Sequence, residues 1–202
     1  MFKPTIVFGA SGHGKVVIEL LEINAITEIT IWDDAERPEV WDYPVEKPYL
    51  QKLSADYGMV IAIGNNSTRK EVAEKYREHV DFVIPVHPSA AVSRRVNVGK
   101  GTVIMAGVVI NTDTKIGEHC IINTSASIDH DCLLGDFVHI SPNATLCGDV
   151  QVGEGTHIGA GSVVIQGIRI GKWSTIGAGT VVIRDVPDYA TVVGNPGKVI
   201  KG

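Results

Sequence analysis

Residues 116–140 read IGEHCIINTSASIDHDCLLGDFVHI, with Ile or Leu at every sixth position: Ile116, Ile122, Ile128, Leu134 and Ile140. The spacing continues outward, through Ile110, Ile104, Val98 and Val92 on one side. On the other it runs through Leu146, Val152, Ile158, Val164, Ile170, Ile176 and Val182. All sixteen slots hold Ile, Val or Leu, although these types make up only 57 of the 202 residues. Agreement in one register arises by chance about one time in a billion, so the second half is an internal repeat of the hexapeptide class.

A six-residue repeat builds a three-sided prism. Each hexad supplies a short strand and a corner, and three hexads close one coil, so every inward residue stacks on its equivalent in the next coil. The expected fold is a left-handed parallel β-helix of about five coils between Val92 and Val186, an exception to the right-handed crossover rule. Gly99, Gly117, Gly135, Gly153 and Gly171 each follow an inward residue at one-coil spacing. We expect them at corners that need positive φ, where glycine costs least. Four residues beyond the inward slots come small or branched residues: Thr102, Thr114, Cys120, Ala126, Cys132, Ala144, Thr156, Ser162, Ser174 and Thr180. Cys120 and Cys132 fall in this set, which makes them packing residues rather than nucleophiles.

Residues 1–85 follow another rule and alternate strand-like with helix-like runs. Strands are expected at Thr5–Phe8, Glu28–Trp32, Met59–Ile63 and Phe82–Ile84, with helices at Lys15–Ile23 and Arg69–Glu78. The pattern predicts a small Rossmann-like α/β domain over 1–85, followed by the β-helix and a C-terminal cap over 86–202.

Composition excludes several function classes. Charged residues are 20% of the chain and the formal charge is −5, which is no basic footprint for nucleic acid. No apolar run reaches the ~20 residues of a membrane span, and the opening MFKPTIVFGA leads directly into a strand rather than a signal peptide. Three cysteines without a C-x-x-C pair argue against both a disulfide framework and a metal site. The expectation is a cytoplasmic protein.

Chemistry belongs where the repeat's monotony breaks. In Asp129-His130-Asp131 one imidazole stands between two carboxylates on a face otherwise apolar and small. A histidine accepts a proton near neutral pH, and an adjacent carboxylate fixes its tautomer and stabilises the imidazolium. A surface histidine bonded to an aspartate is the plainer alternative. His139 lies nine residues on, where it can face the same groove, and the backbone N–H groups around Gly148 can meet an oxyanion. His119 and His157 read as ordinary solvent-facing residues.

The N-terminal half offers a second candidate. Gly9-Ala10-Ser11-Gly12-His13-Gly14 follows a strand and opens a helix, where free N–H groups attract phosphate. Its glycine offsets differ from the dinucleotide fingerprint. Asp33 and Asp34 end the second strand, and Gly64-Asn65-Asn66 ends the third, so three strand ends mark one ligand crevice suited to a nucleotide.

Together, GASGHG (9–14), IAIGNN (61–66), INTSASIDHDC (122–132) and the closing GNPGKVIKG (194–202) resemble bacterial sugar O- and N-acyltransferases of the sialic-acid O-acetyltransferase type. The chain is equally similar to nucleotide-sugar N-acetyltransferases, typified by the UDP-N-acetylbacillosamine and GDP-perosamine enzymes. The closing motif departs from the family's G-x-P-A-K in having Gly197 for alanine. The resemblance implies an acetyl-CoA-dependent N-acetyltransferase acting on a nucleotide-linked amino sugar, with no metal. It implies His130 as general base and Asp131 as the acid that raises its basicity. Asn123 would lie near the sugar amine, His139 near the thioester, and Ala160 and Ala178 along the CoA arm. Ser11, Gly12, His13, Asp33, Asp34 and Gly64 would hold the nucleotide-sugar. It implies a homotrimer with CoA between neighbouring β-helices. The rival readings are O-acetylation of a sialic-acid-like sugar and a non-catalytic nucleotide-sugar-binding scaffold.

Overall fold

The computed structural model describes residues 3–36, 38–49, 53 and 56–202, so Met1 and Phe2 of the opening run lie outside the described residues. Strand β1 (Thr5–Phe8), helix α1 (Gly12–Ile23), β2 (Ile29–Trp32), β3 (Glu39–Val40), β4 (Tyr43–Glu46), β5 (Gly58–Ile61), α2 (Asn66–Tyr76) and β6 (Asp81–Phe82) form the N-terminal half. Their sheet runs in the order β3-β4-β2-β1-β5-β6 and is parallel except for the β3–β4 hairpin. Strand β1 is central and fully buried because Thr5, Ile6, Val7 and Phe8 have neighbours on both faces. The chain leaves β1 to pair first on one side and later on the other. The resulting switch point between β1 and β5 is the place where sheets of this kind receive a ligand, at the strands' carboxyl ends.

Helix α1 begins at Gly12, three residues before the expected Lys15, so the end of the GASGHG motif is already helical. It buries Val17, Ile18, Leu20 and Leu21, while Val16 is exposed. Helix α2 likewise starts early, at Asn66, where the Asn65 side chain accepts the Thr68 N–H as an N-cap. The β3–β4 hairpin was not expected. Pro38 and Pro44 break the strand pattern there, and the turn uses Trp41 at φ 53°.

From the bridge between Val86 and Ile104 onward, the chain is a β-solenoid. Two-residue strands pair in parallel with equivalents one coil away, as in Ile110↔Ile128, Ile128↔Leu146 and Leu146↔Val164. The first face runs from Ala91–Val92 to Val181–Val182, and the second from Asn97–Val98 to Arg169–Ile170. The third runs from Val103–Ile104 to Thr175–Ile176 and is extended by Thr191–Val193 and the antiparallel Lys198–Lys201. Every inward slot from Ile104 to Val182 is buried. Truncating one of these isoleucines to alanine costs about 2–5 kcal/mol.

The expected small positions are buried too, and their hydroxyls stitch coil to coil. Thr102 Oγ1 donates to the Gly117 carbonyl and accepts the Cys120 N–H, and Thr114 does the same with Asp129 and Cys132. The cysteine thiols are locked in place, with burial pushing Cys120 up to about 12 and Cys132 to about 11.

The glycines correct one expectation. Positive φ falls three residues after each inward slot from Val98 to Ile176, on Asp113, His119, Ser125, Asp131, Phe137, Asn143, Asp149, Gly155 and Gly161 among others. Gly99, Gly117, Gly135, Gly153 and Gly171 have no positive φ. A Cβ on any of them would lie under 3.0 Å from backbone of the next coil. They are glycines because coils stack there without room for a side chain.

The two halves pack together. Val103, Met105 and Ile121 of the third face join a cluster with Val7, Ala10, Leu21 and Val60, and Phe137 joins Trp32, Tyr76 and Phe82.

Candidate functional site

His130 and Asp131 sit on the corner between the first and second faces, just after the strand Ser127–Ile128. Asp131 adopts φ 61°, a conformation that aspartate tolerates better than most residues. That backbone turns its carboxylate back onto its neighbour, and Asp131 Oδ2 lies 2.7 Å from His130 Nδ1. Nδ1 therefore carries the proton and Nε2 keeps its lone pair. The two side chains are 55% and 61% exposed, so the ring stands outside the prism, where a reaction partner can approach. Asp129 braces the same corner: its Oδ1 accepts the His130 N–H at 2.8 Å and the Asn111 amide at 2.7 Å. The hydrogen bond to Asp131, then the Asp129 charge, holds the imidazole above the usual histidine range.

Gly148 lies directly above. A Cβ there would fall 2.6 Å from His130 Cε1 and 2.7 Å from Nε2, so only glycine leaves the ring its place. Its carbonyl accepts the Gly167 N–H, while its own N–H makes no hydrogen bond among the described residues.

The crevice at the end of β1 is assembled as the strand order requires. Gly9 has φ +118° and packs against the Ala62 carbonyl, so the GASGHG turn hugs β5. Both Asp33 oxygens are committed to that architecture: Oδ2 accepts the Ala10 N–H at 2.7 Å and Oδ1 the Ala35 N–H at 2.7 Å. Asp34 is exposed, and its carbonyl accepts Lys47 Nζ. Ser11 caps α1 with its backbone while its side chain makes no capping bond, and a Cβ on Gly12 or Gly64 would meet open space. His13 Nε2 is buried without a partner, and burial, aided by Arg69, pulls this ring down to about 4.

His139 is not on the His130 corner. It projects from the third face, which the N-terminal half covers, and burial, followed by His157, pulls it down to about 3. Asn123, on the corner between the third and first faces, brings its amide 3.3 Å from His139 Nε2. Ala160 and Ala178 are exposed on that same corner, one coil apart, each just ahead of a positive-φ glycine. Within one chain, the expected site residues thus divide between two edges. His130, Asp131 and Gly148 stand on one, and Asn123, His139, Ala160 and Ala178 stand on or beside another.

Two histidines expected at solvent are not there. His119 is 4% exposed, stacked on Phe137 with ring centroids 5.2 Å apart. His157 is half-buried, stacked on His139 and bonded to Ser141. Arg69, which the sequence pattern marks only as the start of a helix, is the clasp between the two halves. Its Nε donates to the His119 carbonyl and its Nη2 to the Phe137 carbonyl and Asn66 Oδ1, each at 2.8 Å. Its Nη1 donates to the Ile63 carbonyl at 2.9 Å. The spacing of Arg69, Ala73 and Tyr76, all buried on one stripe of α2, is the signal that marks it. Among the described residues no cluster of three or more His, Cys, Asp or Glu side chains is arranged to hold a metal ion.

Residues 5–76 match the PglD N-terminal domain model, and residues 131–166 and 149–184 match the bacterial transferase hexapeptide repeat. The acetyltransferase domain of PglB from Neisseria gonorrhoeae superposes with a TM-score of 0.95 at 38% identity, covering 98% of this chain and 100% of that one. This chain belongs to the PglD-type hexapeptide acetyltransferases. PerB from Caulobacter crescentus, solved with CoA and GDP-perosamine, is 41% identical with a TM-score of 0.92, covering 100% of this chain and 99% of that one. UDP-N-acetylbacillosamine N-acetyltransferase of Bacillus subtilis is 45% identical over 112 residues, 52% of this chain and 52% of that protein. The match therefore spans about half the length of this curated relative. The PglB domain is an acetyltransferase that has also been solved with acetyl coenzyme A, and the Bacillus subtilis relative is named for N-acetyl transfer. No helix among the described residues is long and apolar enough to cross a membrane.

Proposed function

We propose that this protein transfers the acetyl group of acetyl-CoA to the 4-amino group of a nucleotide-linked amino-deoxysugar, in the supply of cell-surface glycan precursors in the cytoplasm. The observation that carries the reading is His130, exposed, with Nδ1 held by Asp131 and Nε2 free, beneath a glycine that keeps the ring in place.

Nε2 takes the proton released as the amine nitrogen bonds to the thioester carbonyl carbon. Asp131 stabilises the imidazolium that results. The free Gly148 N–H suits the oxyanion formed on the carbonyl oxygen. When the C–S bond breaks, the electron pair leaves with sulfur, and the His130 proton is available to it. The exposed Ala160–Ala178 corner, flush with Gly161 and Gly179, leaves a smooth lane for the pantetheine arm. The GASGHG turn and Gly64 suit a diphosphate, with Asp34 at the nucleoside end. No protein nucleophile is needed, and the buried thiols fit that reading.

The division of site residues between two edges of one prism supports a homotrimer. A neighbouring copy sets its His130 edge against this chain's Ala160–Ala178 edge, so each site draws on two chains.

UDP-, dTDP- and GDP-linked 4-amino-6-deoxysugars, incubated with acetyl-CoA and followed by thiol release, test the proposal. One of them is expected to turn over, and His130→Ala to lower its kcat by about 10²–10⁴-fold. Release from none of them, or undiminished release by the variant, overturns the reading.

A further inference from the structure

Behind His139 stands a support that the reaction as proposed does not use. The His157 ring lies parallel to His139, with centroids 4.7 Å apart and planes 5° from coplanar. The two occupy equivalent positions in successive coils, so the ladder pairing of His139 with His157 sets their separation. His157 is in turn held by Ser141, whose Oγ lies 2.7 Å from His157 Nε2. On the other side of His139, Asn123 Oδ1 accepts the Thr124 N–H, which leaves its amide N–H₂ as the group facing His139 Nε2. That nitrogen is therefore an acceptor, and a neutral His139 carries its proton on Nδ1. Nδ1 is buried and makes no hydrogen bond of good geometry among the described residues, and the Gly64 carbonyl approaches the ring as an acceptor that a substrate group can replace.

We propose that Ser141 and His157 are positioning residues that fix the ring plane and protonation of His139, so that it presents a neutral Nδ1–H donor to the bound substrates. The proposal rests on the acetyl-transfer reading for what that donor meets, but not for the state of the ring. Two parallel imidazoles this close do not both carry a proton at low cost. The charged and titratable groups around the pair act in the same sense. His13 of α1 and the Arg69 guanidinium of α2 add positive charge against His139, and Arg69 also acts on His157. The Gly64 carbonyl alone among the causes pulls the other way. A flat ring seated on His139 also stops it from rotating and exchanging its donor for its acceptor.

The test uses the full chain, ligand-free, with ¹⁵N-labelled histidine, so that the tautomer of His139 is read directly by NMR between pH 5 and 8. Wild type is expected to show one neutral form, protonated at Nδ1, across that range. His157→Ala is expected to introduce the Nε2–H form or a titration of His139 within the window, and Ser141→Ala to do so in part. His157→Phe keeps a flat ring of similar size and is expected to hold the plane of His139 while losing the Ser141 link. On the substrate that wild type acetylates, His157→Ala is expected to lower kcat by about 10- to 100-fold, as for displaced reacting groups. His157→Phe is expected to restore most of that loss. An unchanged His139 tautomer and pH response in both His157→Ala and Ser141→Ala overturns the proposal. If His157→Ala does not fold, Ser141→Ala carries the readout, and an unchanged His139 tautomer and pH response in that variant overturns the proposal. Absence of acetyl transfer by wild type counts against the proposed function and leaves the NMR result to decide this proposal.

Discussion

In the proposed reaction a single imidazole organises the chemistry, and the roles of its neighbours can be separated experimentally. Asp131 raises the affinity of His130 for a proton. The free-enzyme kcat/KM is therefore expected to rise with pH through an inflection above the ordinary histidine value of about 6.5. Asp131→Asn removes the principal cause of that elevation, so the inflection moves to lower pH while the plateau falls, because the remaining base is weaker. A pH–rate profile that keeps its inflection in the variant would contradict this role for Asp131. Gly148 acts by shape. Its φ is not in the positive range, so alanine is conformationally allowed, yet the added methyl occupies the place of the His130 ring. Gly148→Ala is expected to fold with a wild-type Tm and to lose about 10- to 100-fold in kcat, the scale of a misplaced catalytic group. Unchanged turnover would show that the imidazole works from another position.

At the scale of elements, the hexad pattern exposed the solenoid because inward stacking demands one residue type at one spacing, and nothing else in the chain competes with it. The same pattern identified the one-coil glycines but not their cause. Their requirement is the close approach of the next coil, a property of stacked coils rather than of any hexad. His119 and His157 are less exposed than their register suggests for a related reason. Their register points away from the prism, and only the N-terminal half, packed on the third face, removes them from water. Arg69 governs that packing. Its guanidinium satisfies carbonyls from α2's own approach, Ile63, and from two successive coils at one corner of the solenoid, His119 and Phe137. Arg69→Met keeps the apolar stem and leaves those buried acceptors bare. The expected cost is about 3 kcal/mol or more. Hydrogen exchange should rise in β1, β5 and α2 while the solenoid core stays protected. Uniform protection across both halves would deny Arg69 that role.

For the whole molecule, the buried imidazoles tie stability to pH. Burial, before any other cause, brings His13 and His119 down to about 4 and His139 to about 3. Below the ordinary value of about 6.5 the unfolded chain takes up protons that the native rings refuse. Their contribution is therefore neutral above that value and increasingly destabilising as pH falls toward 4. His119→Phe removes one such ring from a site already lined by Phe82 and Phe137. In urea melts at pH 7 and pH 5, the variant is expected to lose about 1–2 kcal/mol less than wild type. Equal losses would show that His119 titrates normally in the fold.

The placement of His130 and the Asn123–His139 pair on separate edges has a genetic consequence. Two inactive variants, one lacking the base and one altered at the crevice, carry complementary defects. In the trimer proposed above, co-expressed and randomly mixed copies should reconstitute about a quarter of the junctions with both halves intact. Activity would return from two silent alleles, and each alone would remain silent.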